Sequence, residues 1–132
     1  MQRRQAREII LKALYRKEFI NREVGKGADD FSGEDLGDQK SFIENIFYGT
    51  LEKREEIDEL ITNFTRGWKV ERLAVLDRNI LRMAIYELIY YRQTPVEVVI
   101  NEAIELSKDY GTENAPKFIN GILDKLWKKQ ES

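Results

Sequence analysis

The chain has 132 residues, of which 42% are hydrophobic and 35% are charged, and its net charge is −2. It contains no cysteine and no histidine, which excludes disulfides, zinc sites with nitrogen and sulfur ligands, and catalysis by a histidine base or a cysteine nucleophile. We therefore expect no metal and no cofactor. No apolar run approaches the roughly 18 residues that span a bilayer, so we expect a cytoplasmic protein that makes no contact with membranes.

Apolar residues recur at intervals of three and four along the whole sequence, which is the spacing of amphipathic helices. Alternating strand patterns are absent, and we predict an all-α fold. The predicted helices cover residues 3–21, 38–53, 54–65, 70–75, 77–91, 95–110 and 115–129. Between the first two helices, the polar residues 21–37 are rich in Gly and Asp, and we expect them to form a long mobile loop.

The first predicted helix begins with Arg3, Arg4 and Arg7. Residues 1–17 hold six cations and one anion, whereas residues 21–60 hold five cations and twelve anions. Cations at an exposed helix N-terminus are unfavourable by roughly 0.3–1 kcal/mol each, because the helix dipole is positive there. Two interpretations stay open: a solvated, frayed end, or a local site for a polyanion, since arginine pairs bidentately with phosphate and stacks on bases.

The same helix has two apolar faces. Leu11, Tyr15 and Phe19 form a row on the side opposite the expected core face. That core face consists of Ala6, Ile9, Ile10 and Ala13. Either the helix is buried on both sides, or the row is an exposed stripe that docks a protein partner, as contiguous exposed apolar patches usually do. The stripe would also suit closure of a homodimer.

The second half of the chain carries clear helix signals. Thr94 is the predicted N-cap of the helix 95–110, with Pro95 at its first position and Glu97 as the capping-box partner. Gly111 is the predicted left-handed residue that ends this helix. Residues 77–91 are apolar on most sides, which predicts a central helix with neighbours packed around it.

Three stretches together resemble the NusB family of bacterial transcription antitermination factors. They are RRQAREIILKALY (3–15), LDRNILRMAIYELIY (76–90) and PVEVVINEAIELSKDYGTENAPKFINGILDKL (95–126). The resemblance implies a compact helical domain of about seven helices, in two packed subdomains over residues 1–66 and 67–132. It implies a protein that is not an enzyme. Such a protein pairs with NusE, a small-subunit ribosomal protein, binds single-stranded boxA RNA, and helps RNA polymerase pass terminators during ribosomal RNA synthesis.

The resemblance also implies which residues act. Those expected to bind RNA are Arg3, Arg4, Arg7, Arg82, Lys117, Phe118 and Asn120. For the partner NusE, the family pattern points to Tyr15 and Asp77, and the apolar stripe adds Leu11 and Phe19. Phe118 could equally belong to the core. Arg78 and Arg82 could extend the RNA track or pair with Asp or Glu.

Two other functions remain open at the level of the sequence. One is an adapter that binds protein only. The other is a stand-alone relative of the RNA-binding domain found in some ribosomal RNA cytosine methyltransferases. We expect no methyltransferase activity, because the chain has no room for a catalytic domain and no glycine-rich cofactor loop after a strand.

Overall fold

The computed structural model describes residues 1–20, 30–65, 67 and 69–131. Every regular element in these ranges is helical, which confirms the predicted all-α class. The α-helices are α1 (Arg3–Ile20), α2 (Lys40–Glu52), α3 (Arg54–Phe64), α4 (Val75–Ile85), α5 (Val96–Tyr110) and α6 (Ala115–Glu131). None of the described helices is both long and apolar enough to cross a membrane.

Shorter helical segments join these elements. A 3-10 turn (Gly37–Gln39) leads into α2, and a second one (Val70–Arg72) stands where the sequence predicts a longer helix at 70–75. The predicted helix 77–91 is α4 followed by a π-helical segment, Tyr86–Tyr91. Arg92 ends this segment in a left-handed conformation with φ of 58°. Glu87, within this segment, is buried.

The core is built around α4, as the sequence predicts for 77–91. This helix packs against α1 and α5 and also contacts α2, α3 and α6. The largest fully buried side chains are Phe47, Ile10, Leu11, Ile43, Ile46, Ile57, Ile61, Ile80, Leu81, Ile85, Ile119 and Leu123. Burial of each such side chain contributes roughly 1.5–3 kcal/mol, and these side chains come from α1, α2, α3, α4 and α6.

Two predicted helix ends differ from the structure. Thr94 makes no cap; Pro95 is the residue before α5, with extended backbone and no side-chain capping bond, so α5 begins at Val96. Gly111 is extended rather than left-handed, with φ of −89° and ψ of 179°. A side chain at Gly111 would place its Cβ 2.7 Å from Oδ1 of Asp77. The glycine is therefore needed for close packing and not for a left-handed turn.

The predicted loop 21–37 is only partly described, and residues 21–29 lie outside the described ranges. Phe31 and Leu36, in the described part, are buried in the core, so this part is anchored and not a solvated linker. The predicted subdomain boundary falls between residues 66 and 67. Residue 66 lies outside the described residues, and the division into subdomains stays a prediction.

Candidate functional site

Arg3 lies exposed at the start of α1 and is held against α2. Its Nε donates a hydrogen bond to Oε1 of Gln39 at 2.7 Å. Its guanidinium carbon lies 3.9 Å from the centre of the Phe42 ring, a cation–π contact. Neither partner is a carboxylate, so Arg3 keeps its charge available to an incoming phosphate.

Arg4 is paired with a carboxylate on α5. Its Nη2 donates to Oε2 of Glu102 at 2.7 Å, and this hydrogen bond raises the pKa of Arg4 above its ordinary value. The Arg4 side chain remains 59% exposed. A phosphate can therefore reach Arg4 but has to compete with Glu102 for the guanidinium.

Arg7 is buried, so its side chain is not accessible to RNA in this structure. Its Nε donates to Oε1 of Glu87 at 3.0 Å in the interior, and Nη1 lies 3.7 Å from Glu102. Both Arg7 and Glu87 are less than a tenth exposed. The charge of Arg7 is thus neutralised by Glu87 inside the fold. Separating Arg7 from Glu87 would leave the carboxylate of Glu87 unpaired in the interior.

The other end of α1 carries the exposed aromatic pair that the stripe predicts. Tyr15 is 40% exposed and Phe19 is 62% exposed, and their ring centres are 4.8 Å apart. Leu11 is fully buried, so its predicted place on the exposed stripe is wrong. Within this row, the side chain of Leu11 is buried, whereas those of Tyr15 and Phe19 are exposed.

Glu18, near the end of α1, organises a polar network between α1, α3 and α4. It accepts hydrogen bonds from Arg78 Nε and Asn79 Nδ2 at 2.7 and 2.6 Å. Burial alone would raise the pKa of Glu18, but the bonds from Arg78 and Asn79 and the charge of Arg82 outweigh it and lower the pKa. Arg82 also binds Asp58, at 2.8 Å from Nε to Oδ1.

Arg78 and Arg82 thus follow the second of their two sequence interpretations, pairing with acidic residues. Arg82 is 4% exposed, so its guanidinium has little access to solvent, and its contact with RNA stays a prediction that the geometry does not favour. Its guanidinium lies between Glu18 and Asp58 and pairs with both carboxylates, which links α1, α3 and α4.

Asp77, expected to contact the partner, is buried instead at the start of α4. Its Oδ1 accepts the backbone N–H of Thr112 at 3.0 Å, and its Oδ2 accepts the Thr112 hydroxyl at 2.7 Å. Both carboxylate oxygens are therefore used within the fold. Asp77 holds the turn that joins α5 to α6.

The first turn of α6 carries the remaining predicted RNA residues. Lys117 and Asn120 are exposed, whereas Phe118 is half-buried and packs against the core. This packing favours the core interpretation of Phe118. Within the ranges that the structure describes, Lys117 forms no ion pair, so its ammonium group faces solvent without a competing carboxylate.

Tyr110 joins the end of α5 to α1. It therefore lies between the arginines at the start of α1 and the turn that leads to Lys117 on α6. Its hydroxyl donates to Oε2 of Glu8 at 2.7 Å, and this bond, with burial, raises the pKa of Tyr110 to about 12. Lys12 lies 5.9 Å from the centre of the Tyr110 ring. The face of α1 that bears Arg4, Glu8 and Lys12 thus runs along α5 towards the turn before α6.

Sequence reasoning missed four residues that shape these surfaces: Gln39, Glu87, Glu102 and Thr112. Each is an acceptor or donor far along the chain from the residue it holds. Gln39 lies in the predicted helix 38–53 and the other three lie in the stretches that carry the family resemblance, but helical periodicity gives no sign of the residues with which they pair. Among the described residues, no group of three or more acidic, cysteine or histidine side chains is arranged to hold a metal.

The model of the NusB family matches residues 4–128 of this sequence. The chain belongs to the NusB family. A relative from Thermodesulfovibrio yellowstonii, described as transcription antitermination protein NusB, is 38% identical over 98% of this chain and 94% of its own length.

Two solved structures show the same NusB fold. T. maritima NusB is 40% identical with a TM-score of 0.84, covering 97% of this chain and 92% of that one. A crystal structure of the antitermination factors NusB and NusE in complex with double-stranded RNA matches with a TM-score of 0.81 at 26% identity, covering 98% and 99% of the two chains. The family resemblance expected from the sequence is confirmed.

Proposed function

We propose that this NusB-family chain is a transcription antitermination factor of the bacterial cytoplasm. Together with the ribosomal protein NusE, it binds single-stranded boxA RNA in nascent ribosomal transcripts and modifies elongation by RNA polymerase. Its role is regulatory rather than catalytic. The proposal draws on relatives described as transcription antitermination proteins and on the solved complex of NusB and NusE with RNA.

The observation that carries the proposal is the division of α1 into two exposed ends of different chemistry. The first turn carries Arg3 and Arg4, whose exposed guanidinium groups suit phosphate and bases. The last turns carry Tyr15 and Phe19, which suit a protein interface because aromatic side chains bring large apolar area at low entropic cost. One helix can thus contact RNA and a protein partner at the same time.

The RNA half of the proposal is tested by fluorescence anisotropy with a labelled boxA-type oligonucleotide, with and without NusE. We expect specific binding that is stronger in the presence of NusE and weaker for an oligonucleotide of the same composition in scrambled order. An adapter that binds protein only would bind neither oligonucleotide, even with NusE present. Size-exclusion chromatography of the same samples reports whether a homodimer competes with these complexes.

The partner half is tested with Tyr15→Asp. We expect NusE affinity to fall by at least about tenfold, because a carboxylate would be buried without a partner when the surfaces dock. Tyr90→Asp is the matched control, since Tyr90 is also an exposed tyrosine on a helical segment, at 36% exposure. If both variants stay folded and lose NusE binding equally, or if neither loses it, the assignment of Tyr15 is wrong.

A further inference from the structure

We propose that Asp77 is a positioning residue that fixes the turn between α5 and α6 and thereby orients Lys117 and Asn120 towards RNA. This inference rests on the proposed function, because it specifies how one part of the RNA surface is held in place. It also replaces the expected role of Asp77 as a direct contact with the protein partner.

The geometry at Asp77 is that of a clamp on a single residue. Oδ1 accepts the backbone N–H of Thr112 at 3.0 Å and Oδ2 accepts its hydroxyl at 2.7 Å. Asp77 is 6% exposed, and Thr112 is exposed. Hydrogen bonds to an ionised carboxylate are stronger than those between neutral groups, so these two bonds hold Thr112 firmly against α4.

Thr112 passes this restraint directly to α6. Its carbonyl oxygen accepts the N–H of Ala115, the first residue of α6, at 3.0 Å. Asn114 then accepts the N–H of Phe118 at 3.2 Å. Hydrogen bonds therefore link the Asp77 carboxylate to Thr112 and Thr112 to Ala115, from which the backbone continues into the turn of α6 that carries Lys117.

Gly111 makes the clamp sterically possible. A Cβ at this position would lie 2.7 Å from Asp77 Oδ1 and 2.9 Å from the Cβ of Ala115. On the other side of the glycine, Tyr110 is tied to Glu8 of α1 at 2.7 Å. The turn is thus fixed from both α1 and α4, and its position relative to the arginines of α1 is set by the fold before any RNA arrives.

A direct partner contact would require solvent access at the Asp77 carboxylate. Both oxygens are engaged, and the side chain is buried. The contribution of Asp77 to binding therefore passes through Thr112 and not through its own charge at the surface.

The test compares Asp77→Ala, Asp77→Asn and Thr112→Val in the full chain with boxA-type RNA as the probe. Asparagine can accept from the Thr112 N–H and donate to its hydroxyl, so it keeps the two bonds and loses only the charge. We expect Asp77→Ala to weaken RNA binding about tenfold and Thr112→Val two- to fivefold, while Asp77→Asn stays within about twofold of the parent chain. NusE affinity should not change in any of the three.

A double-mutant cycle separates positioning from general loss of stability. The loss caused by Thr112→Val should shrink when Lys117 is already alanine, and should add independently to the loss caused by Arg4→Ala. Equal behaviour with Lys117 and Arg4 would overturn the inference. So would an unchanged RNA affinity in folded Asp77→Ala, or loss of NusE binding in both Asp77 variants with RNA binding of the free chain unchanged.

Amide hydrogen exchange gives a reading that does not depend on RNA. In Asp77→Ala we expect faster exchange at the amides of Thr112 and Ala115 than in the parent chain, and parent-like exchange in Asp77→Asn. Unchanged exchange would overturn the clamp itself. If the clamp is present but the parent chain binds no RNA, it is the proposed function that fails, and the two failures are thereby told apart.

Discussion

The two halves of the proposed RNA surface differ in how the fold treats their charges. At the start of α1, Arg4 and Arg7 are engaged by carboxylates from elsewhere in the chain. At the start of α6, Lys117 stands exposed, with no ion pair to the described residues. The cluster at the start of α1 therefore offers less charge than its three arginines suggest, because Arg7 is paired in the interior and Arg4 is shared with Glu102.

At the start of α1, Arg7 and Arg4 differ in how strongly their ion pairs contribute to stability. Arg7 and Glu87 are both buried, and removal of either would leave the other charge in a medium that cannot solvate it. Arg4 pairs with Glu102 at a solvent-exposed position, where the interaction is screened and contributes little to stability. Three arginines within five positions thus divide into a structural residue and two that can serve an interface.

The largest effect is expected for Arg7→Ala. Breaking a buried ion pair on one side costs about 3–5 kcal/mol, because Glu87 would be left without a partner. Urea denaturation of the purified chain measures this loss. In the double variant Arg7→Met with Glu87→Leu, most of the stability should return, since both charges are then replaced by apolar groups of similar size. A loss below about 1 kcal/mol in the single variant would show that Arg7 is not structural.

A smaller effect, on RNA binding alone, is expected for Lys117→Ala. Each phosphate contact contributes about −0.7 to the slope of log affinity against log salt for single strands, so the slope should become shallower by about that amount. The melting temperature should not change. Lys125→Ala is the control, since Lys125 is an exposed lysine on the same helix. If Lys125→Ala gives the same change of slope, the contact is non-specific and the site at the start of α6 is wrong.

The smallest effect, and one of opposite sign, is expected for Glu102→Gln. Because Glu102 occupies the guanidinium of Arg4, its neutralisation should raise RNA affinity by roughly two- to fivefold, as expected for the loss of one exposed ion pair. Glu97→Gln on the same helix controls for the change in net charge. A fall in affinity would mean that Glu102 orients Arg4 for RNA and does not compete with it.

The row Leu11, Tyr15 and Phe19 shows how far periodicity alone could predict the site. The spacing correctly puts the three residues on one side of α1, since that depends only on helix geometry. Whether each is exposed depends on how far neighbouring helices extend along α1, and they cover Leu11 but not Tyr15. The end of α5 is a second example. The pattern correctly places the helix and its final Gly111, but the glycine is required by close packing against Asp77 and not by a left-handed conformation.

The sequence by itself determined the all-α class, the position of most helices, the family and the two chemistries at the ends of α1. These follow from spacing and residue type within short segments, where local physics is sufficient. Only the tertiary structure decided which cations are free. Arg7 meets Glu87 across 80 positions of sequence, and Arg4 meets Glu102 across 98. Periodicity carries no information about pairs so far apart, because they form only when the fold brings α1 against α5 and against the segment that follows α4.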